Sequence, residues 1–226
     1  MLRRSLFAAA AAPAILSRPA GATDGPVVVE LFTSQSCSSC PPADALLGDL
    51  AARQPGVLAL SFHVTYWDRL GWRDRFSLPE ATERQQRYAR SLGHGQLYTP
   101  QIVVQGRRDA VGSDRSAVLG GIAAAAPAPV AIGLAITDQG LRIDLPEGAG
   151  GGTVWLIGYD ARHVTRIGGG ENGGRTLSYT NVVRSIAPVG AWQGRPSRLT
   201  APRPGGEHIA VLLQGADGAI LGAARS

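Results

Sequence analysis

The chain has 226 residues, 44% of them apolar and 17% charged, a composition that excludes wholesale disorder and allows a sizeable core in one or two domains. Its formal charge of +5 comes with arginine as the sole strongly basic side chain, and those arginines are scattered among acidic residues rather than gathered into a basic run. The electrostatic footprint of a nucleic-acid binder is therefore missing, and no nucleic-acid partner is expected.

Arg3-Arg4, an apolar stretch from Leu6 to Leu16, and Ala20-Gly21-Ala22 read as the charged region, apolar region and cleavage site of a secretory signal. The expected signal covers residues 1–22, with cleavage after Ala22 and an uncleaved signal anchor as the alternative. The apolar stretch is shorter than the ~20 residues of a spanning helix. No later run is long enough either, so no stable membrane span is expected once the signal is removed. Export by the Sec or the twin-arginine route, to the periplasm or beyond, follows from this segment.

From Val27 strand and helix patterns alternate. Pro26–Phe32 is β-rich and reads as a buried strand. Ala43, Leu46, Leu47, Leu50 and Ala51 recur at helical spacing, and Val57–Val64 is a second strand. Ser77-Leu78-Pro79-Glu80 supplies a capping pattern for a second helix running to about Leu92. Gln101–Gln105 is a third strand, a short fourth lies near Ala110–Val111, and Ser113 or Asp114 caps a last helix. The order β-α-β-α-β-β-α is that of the thioredoxin fold, assigned to residues 23–126. After Pro127-Ala128-Pro129, short apolar runs separated by glycine-rich turns point to a small, mainly β, sandwich-like domain over 127–226.

Cys37 and Cys40 are the two cysteines of the chain, at the first strand-to-helix junction. A cysteine at a helix N-terminus faces unpaired backbone N–H groups and the positive end of the helix dipole, which favour the thiolate. Cys37 is accordingly expected as the exposed nucleophile and Cys40, one turn deeper, as the resolving thiol. A purely structural staple is the bland alternative. It is a poor use of one disulfide, because a four-residue loop gives about 2 kcal/mol against roughly 4.7 for a hundred-residue loop. His63, His94, His163 and His208 show no paired ligand spacing, so no metal centre and no cofactor is expected.

Thr99-Pro100 stands directly before the third strand, where thioredoxin-like proteins place a cis-proline that faces the cysteine pair and a preceding residue that meets the bound peptide. Both are candidate substrate-binding residues. Glu30, in the strand that leads to the cysteines, is either a proton relay for the buried thiol or an ordinary solvated or ion-paired carboxylate. The Tyr66–Asp74 loop, with Trp67 and Trp72, is either a docking surface or packing beneath the second helix. His63 reads as a structural strand residue.

The run Glu30-Leu31-Phe32-Thr33-Ser34-Gln35-Ser36-Cys37-Ser38-Ser39-Cys40-Pro41-Pro42-Ala43-Asp44 resembles the signature of the bacterial DUF1223 family of secreted thioredoxin-like proteins. His63–Asp68, Tyr98–Gln101, Gly170–Arg175 and Asn181–Arg184 match the same pattern. The resemblance implies the thioredoxin-like fold for the first half and no particular substrate. Ser38-Ser39 departs from the pairs found in thioredoxins and in strong periplasmic oxidants, so no redox potential carries over. Glu171, Asn172, Arg175, Tyr179, Asn181 and Arg184 form a polar group read as a network that fixes a long loop, with a ligand site as its rival.

Three functions fit these residues. The first is an exported thiol–disulfide oxidoreductase acting on protein thiols or disulfides, together with an unidentified redox partner. The second is a Cu(I)-handling protein in which His63 joins the two soft thiolates. The third is a non-catalytic thioredoxin-like interaction protein.

Overall fold

The computed structural model describes residues 25–226, so the expected signal at 1–22 lies outside the described residues. Strands β1 (Val27–Thr33) and β2 (Val57–His63) are almost wholly buried and run parallel, in register from Val27 opposite Val57 to Thr33 opposite His63. Helix α1 (Pro41–Arg53) makes the crossover between them. Helix α2 (Pro79–Ser91) then leads to β3 (Gln101–Val104), antiparallel to β1, and to β4 (Arg108–Val111) and α3 (Arg115–Ala123). This is the order read from the sequence.

Period-two alternation in β1 decides what each face meets. Val29 and Leu31 pack with Ala43, Leu46, Leu47 and Leu50 of α1 and Val118 of α3. Val28 and Phe32 face the other way, toward Ala81 and Tyr88 of α2. Each fully buried leucine contributes roughly 1.5–3 kcal/mol.

Strands β5 (Gly133–Thr137), β6 (Gly140–Leu145), β7 (Gly152–Arg166), β8 (Thr176–Trp192), β9 (Ser197–Ala201), β10 (His208–Gly215) and β11 (Ile220–Arg225) make up the second half. It is mainly β, as expected, and two of its layers do face each other. The three-stranded sheet β5-β6-β9 packs Leu141, Ile143 and Leu145 against Val154, Leu156, Val211 and Leu213. The second layer is shared, however. Strands β11-β10-β7-β8 continue into β2-β1-β3-β4 as one eight-stranded sheet, with β8 joining β2 in parallel at Ser61 and Val182. Asn181, at φ 49°, donates from its side-chain amide to the Ala59 carbonyl across this seam at 2.8 Å. The molecule is thus a mixed α/β structure organised around one large, mostly β sheet. No helix among the described residues is long and apolar enough to cross a membrane.

Candidate functional site

Cys37 and Cys40 form a disulfide, with an S–S distance of 2.08 Å and Cα atoms 5.4 Å apart. Two sequence expectations about it need correction. Helix α1 begins at Pro41 with Cys40 as its N-cap, so Cys37 sits in the preceding turn rather than at the helix mouth. The prolines at the first two helical positions explain this, since each fits there without losing a helical hydrogen bond. They also remove two amide N–H groups from the helix end, and the next two, of Ala43 and Asp44, already donate to the Cys40 carbonyl. Second, Cys37 is not exposed. Both cysteines are 0% accessible, while Ser38 and Ser39 between them lie at the surface.

The residues around the turn come from three distant segments. Pro100 follows a cis peptide bond from Thr99 and is buried. A Cβ built on Gly112 would lie 3.2 Å from the Pro100 Cβ and 3.0 Å from the Ala43 Cβ, so proline and first helical turn meet there. Thr99 is half-buried, and its hydroxyl accepts from the Trp67 indole at 2.8 Å.

The Tyr66–Asp74 loop divides: Tyr66 and Trp67 pack against the cluster that holds Ala81 and Tyr88 of α2, whereas Trp72 and Asp74 form a wall of the cysteine turn. The Trp72 indole donates to Gln35 Oε1 at 2.9 Å, and the Trp72 carbonyl accepts from the Ser36 hydroxyl at 2.8 Å. Asp74 accepts from the Gln35 amide N–H at 2.8 Å. Ser77, expected to cap α2, instead donates its hydroxyl to Asp68 at 2.7 Å, and Leu78 takes the N-cap position.

The polar group of the second half completes the enclosure. At the tip of the β7–β8 hairpin, the Asn172 amide donates to the carbonyls of Gln35 at 3.0 Å and Cys37 at 2.8 Å. Glu171 accepts from the Ser38 backbone N–H at 2.9 Å, and the Ser38 hydroxyl together with this N–H holds its carboxyl below the usual range. Of the six residues grouped in the sequence, Glu171 and Asn172 hold the cysteine turn and Arg175 donates to Asn172 Oδ1 at 2.6 Å, whereas Asn181 bonds Ala59 and Arg184 pairs with Asp160, so the six do not form one network. The sequence signal was the Gly168-Gly169-Gly170 tract ahead of Glu171-Asn172. A Cβ on Gly168 would fall 2.6 Å from the Trp72 ring, so glycine is what lets this segment lie flat.

Beneath the turn lies a buried ionisable trio. His63 Nδ1 and Asp74 Oδ2 are 2.7 Å apart, and both side chains are inaccessible. Burial acts to lower the His63 pKa, but Asp74 outweighs it and raises it. Burial acts to raise Asp74, yet His63 and two backbone N–H donors hold its carboxyl low. Asp44, in the first turn of α1, is pushed up to about 7 by burial, which the nearby imidazole only partly offsets.

Glu30 does not join this group. Arg84 grips its carboxylate from Nε and Nη2, and the Tyr88 hydroxyl donates to it as well. All three are buried on the α2 side of the sheet, with Gln214 of β10 bonded to both Arg84 and Tyr88. The ion-paired alternative is the arrangement found, and the carboxylate faces away from α1. His63, for its part, is engaged with Asp74. Among the described residues no three His, Cys, Asp or Glu side chains are placed to hold a metal ion.

Comparison with known proteins extends this geometry. A family described as "Protein of unknown function (DUF1223)" matches residues 28–214. The chain belongs to the DUF1223 family. A crystal structure of protein AGR_C_4864 from Agrobacterium tumefaciens is similar to this DUF1223 protein at 32% identity and a TM-score of 0.77, over 90% of this chain and 95% of that one. HBP35 of Porphyromonas gingivalis shares the fold at 14% identity and a TM-score of 0.58, over 91% of this chain and 76% of that one. No curated protein matches the chain.

Proposed function

We propose that this DUF1223 protein is an exported thiol–disulfide oxidoreductase that exchanges disulfides with protein thiols on a thioredoxin-like scaffold. One observation carries the reading: a Cys-x-x-Cys disulfide at a strand-to-helix junction, with cis Thr99-Pro100 beside the first turn of that helix. The element order from β1 to α3 supports the scaffold, and the N-terminal sequence supports export to the periplasm or beyond.

In the oxidising direction, a client thiolate attacks the Cys37 sulfur and the Cys37–Cys40 bond breaks. A mixed disulfide forms, and Cys40 leaves as a thiolate that takes up a proton. The client's second thiolate then attacks the client sulfur of that mixed disulfide. It expels Cys37, which is protonated in turn, and leaves a client disulfide and two protein thiols. Reduction of a client runs the same steps backwards, with Cys40 resolving the mixed disulfide. Thr99 and Pro100 form the wall against which a client segment lies.

The expected result is that Cys37→Ser and Cys40→Ser each reduce insulin disulfide exchange to background, while Cys40→Ser alone accumulates mixed disulfides with client proteins. Wild-type exchange by both variants, with nothing trapped, defeats the reading. A second reading, an inert scaffold with a structural disulfide, draws on the 0% exposure of Cys37 and the two prolines at the helix mouth. It requires the Cys37 thiol of the reduced protein to titrate at or above the free value near 8.5, which iodoacetamide alkylation against pH measures.

A further inference from the structure

The tip of the β7–β8 hairpin is a closed unit. Across its base the Ile167 N–H donates to the Arg175 carbonyl at 2.8 Å and the Gly174 N–H to the Ile167 carbonyl at 2.9 Å, and Gly170–Asn172 forms a single 3-10 turn between them. Its hold on the cysteine turn includes the three side-chain bonds from Glu171 and Asn172, and Gly168–Gly170 lie close against Trp72, Gly71 and Ser36. None of these is a bond of the eight-stranded sheet, whose β7–β8 ladder ends at Arg166 and Thr176. The tip can therefore lift without unzipping a strand. It reaches its target from more than 130 residues away in sequence, onto the carbonyl of Cys37 and the N–H of Ser38. Asn172 itself is 0% exposed, so the closed position is a packed one.

We infer that this hairpin tip is a gate over the Cys37–Cys40 disulfide, and that thiol partners reach the sulfurs only when the bonds of Glu171 and Asn172 to the cysteine turn are broken. The inference rests on the redox reading of the site and adds its regulation. A protein client opens the gate by offering its own backbone N–H and C=O groups to the Cys37 carbonyl and the Ser38 N–H. A small thiol has no such groups in that spacing and must wait for spontaneous opening.

The test uses the full chain and dithiothreitol alone, with no client. One dithiothreitol thiolate attacks a cysteine sulfur, the protein S–S bond breaks and the freed cysteine is protonated. The second dithiothreitol thiol then closes a cyclic disulfide and releases the other cysteine as a thiol. Appearance of the two thiols is followed by quenched alkylation and mass. Asn172→Ala, which deletes two of the three bonds, is expected to speed reduction on the order of tenfold, and Glu171→Ala by about threefold. Glu171 is exposed, so its variant keeps the fold and serves as the control should the buried Asn172 variant not fold. Matched urea midpoints distinguish local opening from general loosening.

Reduction as slow as wild type in Glu171→Ala overturns the gate, even if Cys40→Ser still traps clients. Faster reduction in the variants together with no client exchange by the wild type would leave the gate standing and sink the oxidoreductase reading.

Discussion

Replacing Glu30 by glutamine or leucine is expected to lower the free energy of unfolding by about 3–5 kcal/mol. The cost comes less from the lost carboxylate than from what it leaves behind. Arg84 is 1% exposed and stays charged, its pKa raised because the Glu30 carboxylate outweighs the effect of burial. The remaining acceptors in the structure are Gln214 Oε1, at 3.1 Å from Nη1, and the Tyr88 hydroxyl, at 3.1 Å from Nη2, while the surrounding rings of Phe62 and Trp155 offer only their faces. A buried guanidinium with its main partner gone is far more expensive than no ion pair at all. The double variant Glu30→Met, Arg84→Met is therefore expected to recover most of the loss, and urea titration of the single and double variants measures it. The rate of disulfide exchange in the folded Glu30→Gln protein, and its pH profile, should not move. A displaced pH profile would restore the proton-relay role that the sheet face denies to this residue.

Asp44→Asn is the second large effect, and here the sign depends on pH. The folded protein holds the Asp44 proton up to about 7, whereas the ordinary carboxyl value is 3.8. Below 3.8 both folded and unfolded chains are protonated at this position, and the folded state carries no penalty from it. Between 3.8 and about 7 the unfolded chain releases the proton and the folded one keeps it, so stability falls as pH rises. Above about 7 the loss is complete, on the order of 4 kcal/mol. Asparagine never ionises. The variant should match wild type near pH 4, exceed its stability at pH 8, and show a flatter profile between. Denaturation at pH 4, 6 and 8 decides this, and equal slopes for the two proteins would refute it. Asp74 works in the opposite sense: its lowered pKa gives stability that is present above the ordinary carboxylate value and lost as pH falls below it.

The first half was legible because its signals are local. Val27–Phe32 and Val57–Val64 are continuous apolar runs, the leucines of α1 recur at helical spacing, and a proline after threonine marks the start of β3. The second half was legible only in its short apolar runs. The longest strand, β8, escaped because Ser178, Thr180, Asn181, Arg184, Ser185 and Pro188 interrupt its pattern. Those side chains are polar for reasons that lie elsewhere in the chain. Asn181 bonds the backbone of β2, and Arg184 pairs with Asp160 of β7. The bonds onto the cysteine turn were hidden for the same reason, since Glu171 and Asn172 find their partners more than 130 residues upstream. Glu30 shows the converse: a charged residue in an apolar strand announces a partner, but not which helix supplies it.

The seam between β2 and β8 bears on how the protein can be dissected. Seven consecutive residues of β2, Val57–His63, are buried, and on one side their neighbour is supplied by a strand that begins at Thr176. Cutting the gene after codon 126 would yield a fragment with a bare, apolar, central edge, the kind of surface that recruits other strands. Residues 25–126 made alone are therefore expected in the insoluble fraction, or as soluble aggregates by light scattering, whereas 25–226 stays monodisperse. The Cys-x-x-Cys motif is in this sense not a transplantable cassette: the segment that carries the sulfurs stays in solution only while the rest of the polypeptide chaperones its flank.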